Sequence, residues 1–494
     1  MDDRSQLQQT LDLAIAAGGS IVSFFGIKQL VAPDFMDPGY LSPGKMHIYS
    51  TIGNANYLAF FLLYSFVITL GLFKRNCHKM VRYMLILGMF LQGLCFLATF
   101  SRTAYAVAAI LGIAAAIRGI DKSILLDRIG KKRILVASIC LAGLSIIVFG
   151  MVRARDMLDG HTLRGRYLIW SATANMIKDH PLKGVGIGQY QINYIPYQAA
   201  LFGTGKYTKY ESNASFALHA HSEPLHVWAE TGVAGLAAFL FILGLGLREG
   251  SRYEKEDRRI WHWYGVMGLS LAGLFNNFLH TIPLATAFWT SLGMIMPKPV
   301  ILNKPLASSL RTLMVSGFLL GSLFLAVNLY TTGMSNYYER QGDLCGEQKY
   351  YADAALNMGK AIRLYPNNGF AREKYALSLY LAGRVAEAEA QLDTAKHYSG
   401  DIGITYLKAE MLAYRRSDEA AISLYRYIAS AFPTHITPHL ALGQLLLRQG
   451  KYQMAEQEFR KILEIRPSTH NLKMDWRKAA AQRAIARFFL SHGP

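Results

Sequence analysis

The sequence predicts an all-α protein: a polytopic membrane helix bundle of about nine spans, followed by an α-solenoid of short helical repeats. Three observations carry that prediction. Apolar runs of about twenty residues recur through the first two-thirds of the chain, long enough to cross a hydrocarbon core as helix. The short loops between them are alternately rich and poor in Lys and Arg, as expected of a chain that crosses a membrane repeatedly. From Met334 the pattern changes to paired amphipathic helices. The boundary is therefore placed at 333/334, with residues 1–333 forming the membrane domain and 334–494 the repeat domain.

Composition supports this division. The 494 residues are 52% hydrophobic and 17% charged, with a mean hydropathy of +0.18. That is too apolar for an ordinary soluble enzyme, and it excludes disorder as the main state. Cys77, Cys95, Cys140 and Cys345 are too sparse for a disulfide scaffold and show no Cys-x-x-Cys spacing for structural zinc. The net charge of +19 invites a nucleic-acid reading, but only +6 of it lies from Met334 onward. The rest sits in the apolar region, where it marks topology. No nucleic-acid partner is expected.

Spans are expected near 53–73, 83–101, 133–152, 225–247, 261–279 and 310–332, with shorter ones near 11–31, 103–118 and 281–297. Gly19, Gly26 and Pro283 interrupt the apolar runs that contain them. The connections Lys74–Arg82, Arg118–Arg133, Arg248–Arg259 and Lys298–Arg311 are basic, whereas 32–52 holds only Lys45. Nine spans place all four basic loops on one side. The N-terminus is then inside, and everything after Thr332 is outside. Residues 32–52, the turn at Ser101–Arg102 and the long connection 153–222 are outside too. A connection of that length is usually functional or disordered, and Tyr167, Trp170, Tyr190, Tyr194 and Tyr197 favour an ordered one. Asp2 and Asp3 precede the first apolar stretch, so no signal peptide is expected.

In the repeat domain, Ala-rich helices end at Pro366, Pro433 and Pro467, spaced by one or two periods of about 34 residues. Glycine stands at the helix–helix turns at Gly383 and Gly450. This pattern resembles tetratricopeptide repeats, which offer a concave surface to a peptide or partner protein. A spacer role is the other reading. The helix expected at Trp476–Leu490 either caps the solenoid or touches an anionic surface.

Four outer segments carry the candidate chemistry. They are "STIGNANY" at Ser50–Tyr57, "TFSRTAY" around Arg102, "RGRYLIWSATANMIKDHPLKGVGIGQY" at Arg164–Tyr190, and "HAHSEPLHVWAETGVAG" at His219–Gly235. A charge at the membrane boundary is costly and marks a functional hypothesis, although Arg102 alone is equally readable as snorkelling to headgroups. Together the segments resemble the O-antigen ligase and polymerase superfamily of bacterial membrane glycosyltransferases, over about residues 10–300. The most specific element is His221-Ser222, nine residues, then Gly232-x-x-Gly235. Relatives usually carry further spans before the first one seen here, so the chain reads as a short or mis-started version of the family, and whether N-terminal spans are missing stays open.

The resemblance implies a GT-C-like bundle in the bacterial cytoplasmic membrane that moves a glycan from undecaprenyl pyrophosphate to an acceptor hydroxyl at the outer face. It implies an inverting reaction, with no cofactor and no metal. By the same resemblance Arg102 and Arg166 hold the pyrophosphate, for which a guanidinium fork is suited, and His221 takes the acceptor proton. Gly232 and Gly235 would allow close packing where the helix enters the membrane. Arg164, His219, Glu223, Asn54 and Asn56 are secondary candidates. Ligation to a glycan, wall polymer or lipid, repeat-unit polymerisation, and protein O-glycosylation all stay open, and a protein partner on the repeats is possible. The outer repeats favour an acceptor that is an extended chain.

Rival readings are weaker. Gly184-x-Gly186-x-Gly188 lacks the Lys-Ser/Thr of a phosphate loop and is better read as a turn after Pro181. His219, His221 and His226 lack a carboxylate partner and suitable spacing for a metal. A lipid-linked glycan flippase would carry ionisable groups near the midplane and duplicated halves, and neither is evident.

Overall fold

The computed structural model describes residues 3–32, 48–75, 78–119, 161–254, 257–296 and 308–465, together with Arg483, Arg487, Leu490 and Ser491. Among them the regular structure is helical, with no strand. The span expected at 133–152 and most of the helix expected at Trp476–Leu490 lie outside the described residues. Two compact units form: Met1–Gly160 with Ala220–Trp228 and Val233–Lys298, and His161–His219 with Ala229–Gly232 and Pro299–Pro494.

The first unit contains α1 (Asp3–Val31), α2 (Ala55–Lys74), α3 (Lys79–Ala98) and α4 (Arg102–Gly119). It also contains most of α7 (Glu223–Ser251), with α8 (Ile260–Gly273) and α9 (Ile282–Ile295). Among the described residues, four helices are long and apolar enough to cross a membrane: Gln6–Val31, Ala55–Lys74, Lys79–Ala98 and Glu223–Ser251. Arg102–Ala116 and Ile282–Ile295 are shorter apolar helices. About nine spans are thus not reached among the described residues. The expected span 261–279 is cut by the turn after α8 and a 3-10 helix at Phe278–His280.

Gly19 and Gly26, which interrupt the apolar pattern of α1, do not break the helix. A Cβ on Gly19 would lie 1.9 Å from Ser65 Oγ, and one on Gly26 would lie 2.5 Å from Cys95 Sγ. The glycines are where α2 and α3 come closest to α1, a packing use of small residues common between membrane helices.

The described basic loops gather at one end of this unit. Lys74 lies over the Trp261 ring and Arg118 over Trp263, and Arg118 donates to the carbonyls of Ser251 and Tyr253. Just inside that end runs a buried polar chain. Arg75 Nη1 donates to Asp12 Oδ2 at 3.2 Å, and Asp12 Oδ1 lies 2.9 Å from His262 Nε2. His262 Nδ1 is 2.9 Å from Ser291 Oγ, which is 2.8 Å from the Tyr64 hydroxyl. Asp12 and His262 are only 3% and 0% exposed, so removing Asp12 leaves a buried polar group without its partner. Asp12→Ala should therefore lower unfolding free energy by about 1–3 kcal/mol, seen as a fall in the thermal midpoint in detergent. Asp12→Asn, which keeps an acceptor for Arg75, should lose less.

The second unit contains α5 (His161–Asp179), α6 (Tyr190–Gly203) and the repeats. A 40-residue helix, α10 (Ser308–Glu347), passes through the expected boundary at 333/334 without interruption. After it come α11 (Tyr351–Leu364), α12 (Gly369–Leu381), α13 (Val385–Ala395), α14 (Ile402–Tyr414), α15 (Asp418–Ala431), α16 (Ile436–Arg448) and α17 (Tyr452–Glu464).

The repeat is legible in its turns. Lys349, Gly383, Arg416 and Gly450 all have positive φ. After each, the next amide donates five residues back: Tyr350 to Cys345, Arg384 to Leu379, Ser417 to Leu412 and Lys451 to Leu446. That is the left-handed helix stop which glycine favours, and two of the four turns make it with a long basic residue. Small residues on the first helix of a pair receive large ones from the second, as Gly443 does Phe459 and Gly342 does Met358.

The helices of the long connection 153–222 that the structure describes belong to this same unit. Gln198 Nε2 on α6 donates to the Ala431 carbonyl at 2.8 Å, and its Oε1 accepts from the Tyr194 hydroxyl. Phe216 meets Phe370 edge to face at 6.1 Å. A Cβ on Gly400 would lie 2.1 Å from the Gln191 carbonyl oxygen. The repeats thus hold the helices of this connection, a role that their solenoid signature does not announce.

Candidate functional site

Asn54, Asn56, Arg102, His221 and Glu223 lie in the first unit; Arg164, Arg166 and His219 lie in the second. In the first unit α2 and α4 start at the end opposite to Lys74 and Arg118, and α7 starts opposite to Ser251. The five candidates therefore share the end away from the basic loops.

Two of the candidates hold backbone. Asn54 is the N-cap of α2, its Oδ1 accepting from the amides of Asn56 and Tyr57, as short polar side chains do at helix starts. Asn56 Oδ1 accepts from Ser101 Oγ at 2.7 Å, and Ser101 Oγ in turn accepts from the Ala104 amide at the start of α4. Phe100 takes a positive φ of 52° to make this turn. The result presents Arg102, the first residue of α4, as an exposed cation.

His221 also has a left-handed backbone, with φ 52°. Ser222 is the N-cap of α7 with an extended φ of −160°. The turn sets a half-buried imidazole immediately before a helix start whose next two residues, Ser222 and Glu223, are 5% and 2% exposed. Glu223 Oε1 accepts from the Leu279 amide at 2.6 Å, and its carboxylate interacts electrostatically with Tyr57. It braces the segment after α8 against α7 and α2. One turn on, His226 Nδ1 accepts from the Ala220 amide at 3.4 Å, which leaves the proton of a neutral ring on Nε2. The His226 and His280 rings meet edge to face at 4.5 Å. Buried Asn277 sits two residues before Leu279.

In the second unit, α5 buries Leu168, Ala172, Thr173 and Met176 and leaves Arg164 exposed and Arg166 half-buried. Thr173 Oγ1 lies 2.7 Å from the Tyr190 hydroxyl, fastening α5 to α6. The glycine-rich loop between them has positive φ at Gly184, Gly186 and Gly188. Two of its amides reach α7: Val185 donates to the Ala229 carbonyl at 2.8 Å and Gly186 to the Glu230 carbonyl at 2.9 Å. The loop is a backbone clasp on α7, as the turn reading after Pro181 anticipates.

Those carbonyls are free to accept because α7 kinks at Gly232, where φ is 69° and ψ −171°. A Cβ there would lie 2.0 Å from the Leu182 carbonyl oxygen. Gly232 is thus a point of close packing, as expected, but against residues 182–183 of the glycine-rich loop, and it also makes the kink. Glu230, which sequence reasoning passes over, accepts from the Tyr190 amide at 3.1 Å and so closes the clasp at the start of α6. An acidic residue inside an apolar run was the available signal.

The O-antigen ligase family profile matches residues 83–240, which include the Arg102 turn, α5, the glycine loop and the His221 segment. A tetratricopeptide-repeat profile matches 437–469. The resemblance read from the residues is therefore met in both halves of the chain. No curated protein matches significantly. Among solved structures, the crystal structure of yeast Tom70 aligns over 98% of this chain and 97% of its own, at 12% identity and a TM-score of 0.21.

Proposed function

We propose that this chain is a membrane glycan transferase of the O-antigen ligase type, acting at the outer face of a bacterial cytoplasmic membrane. The donor is a glycan on undecaprenyl pyrophosphate and the acceptor a hydroxyl. His221 removes the acceptor proton as the new bond to the anomeric carbon forms and the pyrophosphate leaves with the bonding pair. Attack opposite the leaving group inverts that carbon. Arg102 and Arg166 bind the pyrophosphate and offset the charge that develops on it. Arg164 is a further cation beside Arg166. His219 lies in the same segment as His221, while Asn54, Asn56 and Glu223 hold the backbone that presents Arg102 and His221.

The observation that carries this reading is His221 itself. A non-glycine residue in left-handed backbone is uncommon and clusters at functional sites. Here it falls within the family-matched stretch, at a helix start with a buried carboxylate. The repeats that grip α6 favour a polymer or protein acceptor over a small one, because solenoids bind extended chains.

The test is accumulation of donor in cells carrying Arg102→Ala and Arg166→Ala, with protein level unchanged. The expected result is lipid-linked glycan held on the outer leaflet. Donor bearing full-length glycan identifies a ligase, and donor bearing a single repeat unit a polymerase. Normal surface glycan in the double variant, or donor trapped on the inner leaflet, overturns the proposal.

A further inference from the structure

Beside Arg166, the second unit carries a cluster that this mechanism does not use. Tyr167 on α5 is 48% exposed. Its ring lies 5.0 Å from that of Tyr210 at an interplanar angle of 31°, and 6.2 Å from that of Tyr207 at 25°. Tyr207 and Tyr210 are 6.0 Å apart. Three phenol rings thus form one triangular platform, contributed by α5 and by the segment after α6. Lys209 Nζ stands 5.0 Å from the Tyr210 ring centroid, and Lys206 and Arg164 are exposed nearby in sequence. Glu211 is the one acidic residue between Lys206 and Asn213.

Exposed apolar rings are costly in water and normally mark a surface that something covers. Tyrosine rings with hydroxyls at the rim match a ligand that is apolar on one face and hydroxylated at its edge. A pyranose has that character, its axial C–H bonds forming one face. The surrounding cations select for negative charge on such a ligand. We propose that Tyr167, Tyr207 and Tyr210, with Lys206, Lys209 and Arg164, form a subsite for an acidic saccharide unit, one that carries carboxylate groups.

This rests on the glycan-transfer reading and names the substrate class its outer loop would take. Tyr167 follows Arg166 directly on α5, so the platform adjoins in sequence a group assigned to the pyrophosphate. A donor glycan would then be held at two points along its length.

The test uses full-length protein in nanodiscs and titrates a galacturonic acid hexamer against maltohexaose, read by calorimetry. The acidic hexamer should bind at least tenfold more tightly. Tyr167→Ala should weaken it by tenfold or more, while Tyr167→Phe, which keeps the ring, should lose less than threefold. Lys206→Gln with Lys209→Gln should abolish the preference for the acidic sugar. Unaltered melting temperatures guard against misfolding. Equal binding of both sugars, or no effect of Tyr167→Ala, overturns the proposal. So does a loss in Tyr167→Ala confined to phosphatidylglycerol vesicle binding, which would make the platform a membrane-surface belt. The transfer reading fails separately: sugar binding that survives in a chain fully active without Arg102 and Arg166 leaves the subsite and removes the mechanism.

Discussion

His221→Gly is expected to cut glycan transfer by about 10²–10⁴-fold, the range a positioned general base supplies, without destabilising the fold. The second half of that expectation comes from the backbone. At φ 52° a side chain costs about 1 kcal/mol that glycine does not pay, so the variant should melt at the wild-type temperature or slightly above it. His221→Ala removes the same imidazole but keeps the Cβ, and should lose as much activity with no gain in stability. The separation matters because loss of function through misfolding is the usual alternative. Adding free imidazole to the glycine variant should restore part of the rate, since the vacated space faces the reacting hydroxyl if the assignment is right. The pH profile gives a third readout. A base must be unprotonated to act, so wild-type transfer should fall towards acid pH, and that limb should vanish in His221→Gly. Full activity in the glycine variant, or a rate that imidazole leaves unchanged while the acid limb persists, would remove His221 from the chemistry.

The sequence was a good guide where local pattern decides the outcome, and a poor one where distant segments meet. The spans near 53–73 and 83–101 emerge as α2 and α3 because long apolar runs leave the backbone little choice, while 103–118 emerges as a shorter apolar helix, α4. The repeat period emerges because each turn repeats one hydrogen bond, even where Lys349 and Arg416 replace the expected glycine. Gly19 and Gly26 were misleading. A glycine in an apolar run reads as a weak point, and only the neighbouring helix reveals it as a point of contact. The bond from Gln198 to Ala431 spans 233 residues, so nothing in either local pattern announces that the repeats hold α6. At the candidate site, Arg102 and His221 were legible as residue types in a spacing. Their left-handed neighbours and the Asn56–Ser101 bond were not, because positive φ at Phe100 and His221 is imposed by packing rather than by residue preference.

Gly232→Ala should be the most damaging added methyl among the described glycines of the segments around α5, α6 and the start of α7. Its φ of 69° and ψ of −171° fall in a region that is essentially glycine-only, where another residue costs about 1–3 kcal/mol in strain alone. The new Cβ would also sit 2.0 Å from the Leu182 carbonyl oxygen and 2.6 Å from the Lys183 amide nitrogen. Both are backbone atoms, so no rotamer change relieves the overlap. Relief requires either straightening α7 or lifting residues 182–183 away. Either movement breaks the bonds from Val185 and Gly186 to the Ala229 and Glu230 carbonyls, and with them the anchor of the glycine loop. Gly205→Ala is the matched control. It has φ +71° with nothing within 4 Å of the added Cβ, so it carries the left-handed cost of about 1 kcal/mol and no overlap. Thermal melting in detergent should rank wild type above Gly205→Ala and both well above Gly232→Ala, with glycan transfer retained in the control and lost in Gly232→Ala. Equal melting temperatures for the two variants would mean that the clasp yields easily. Lost transfer at a control-like melting temperature would instead place the effect on the geometry of the His221 helix, whose first nine residues run from Glu223 to the kink.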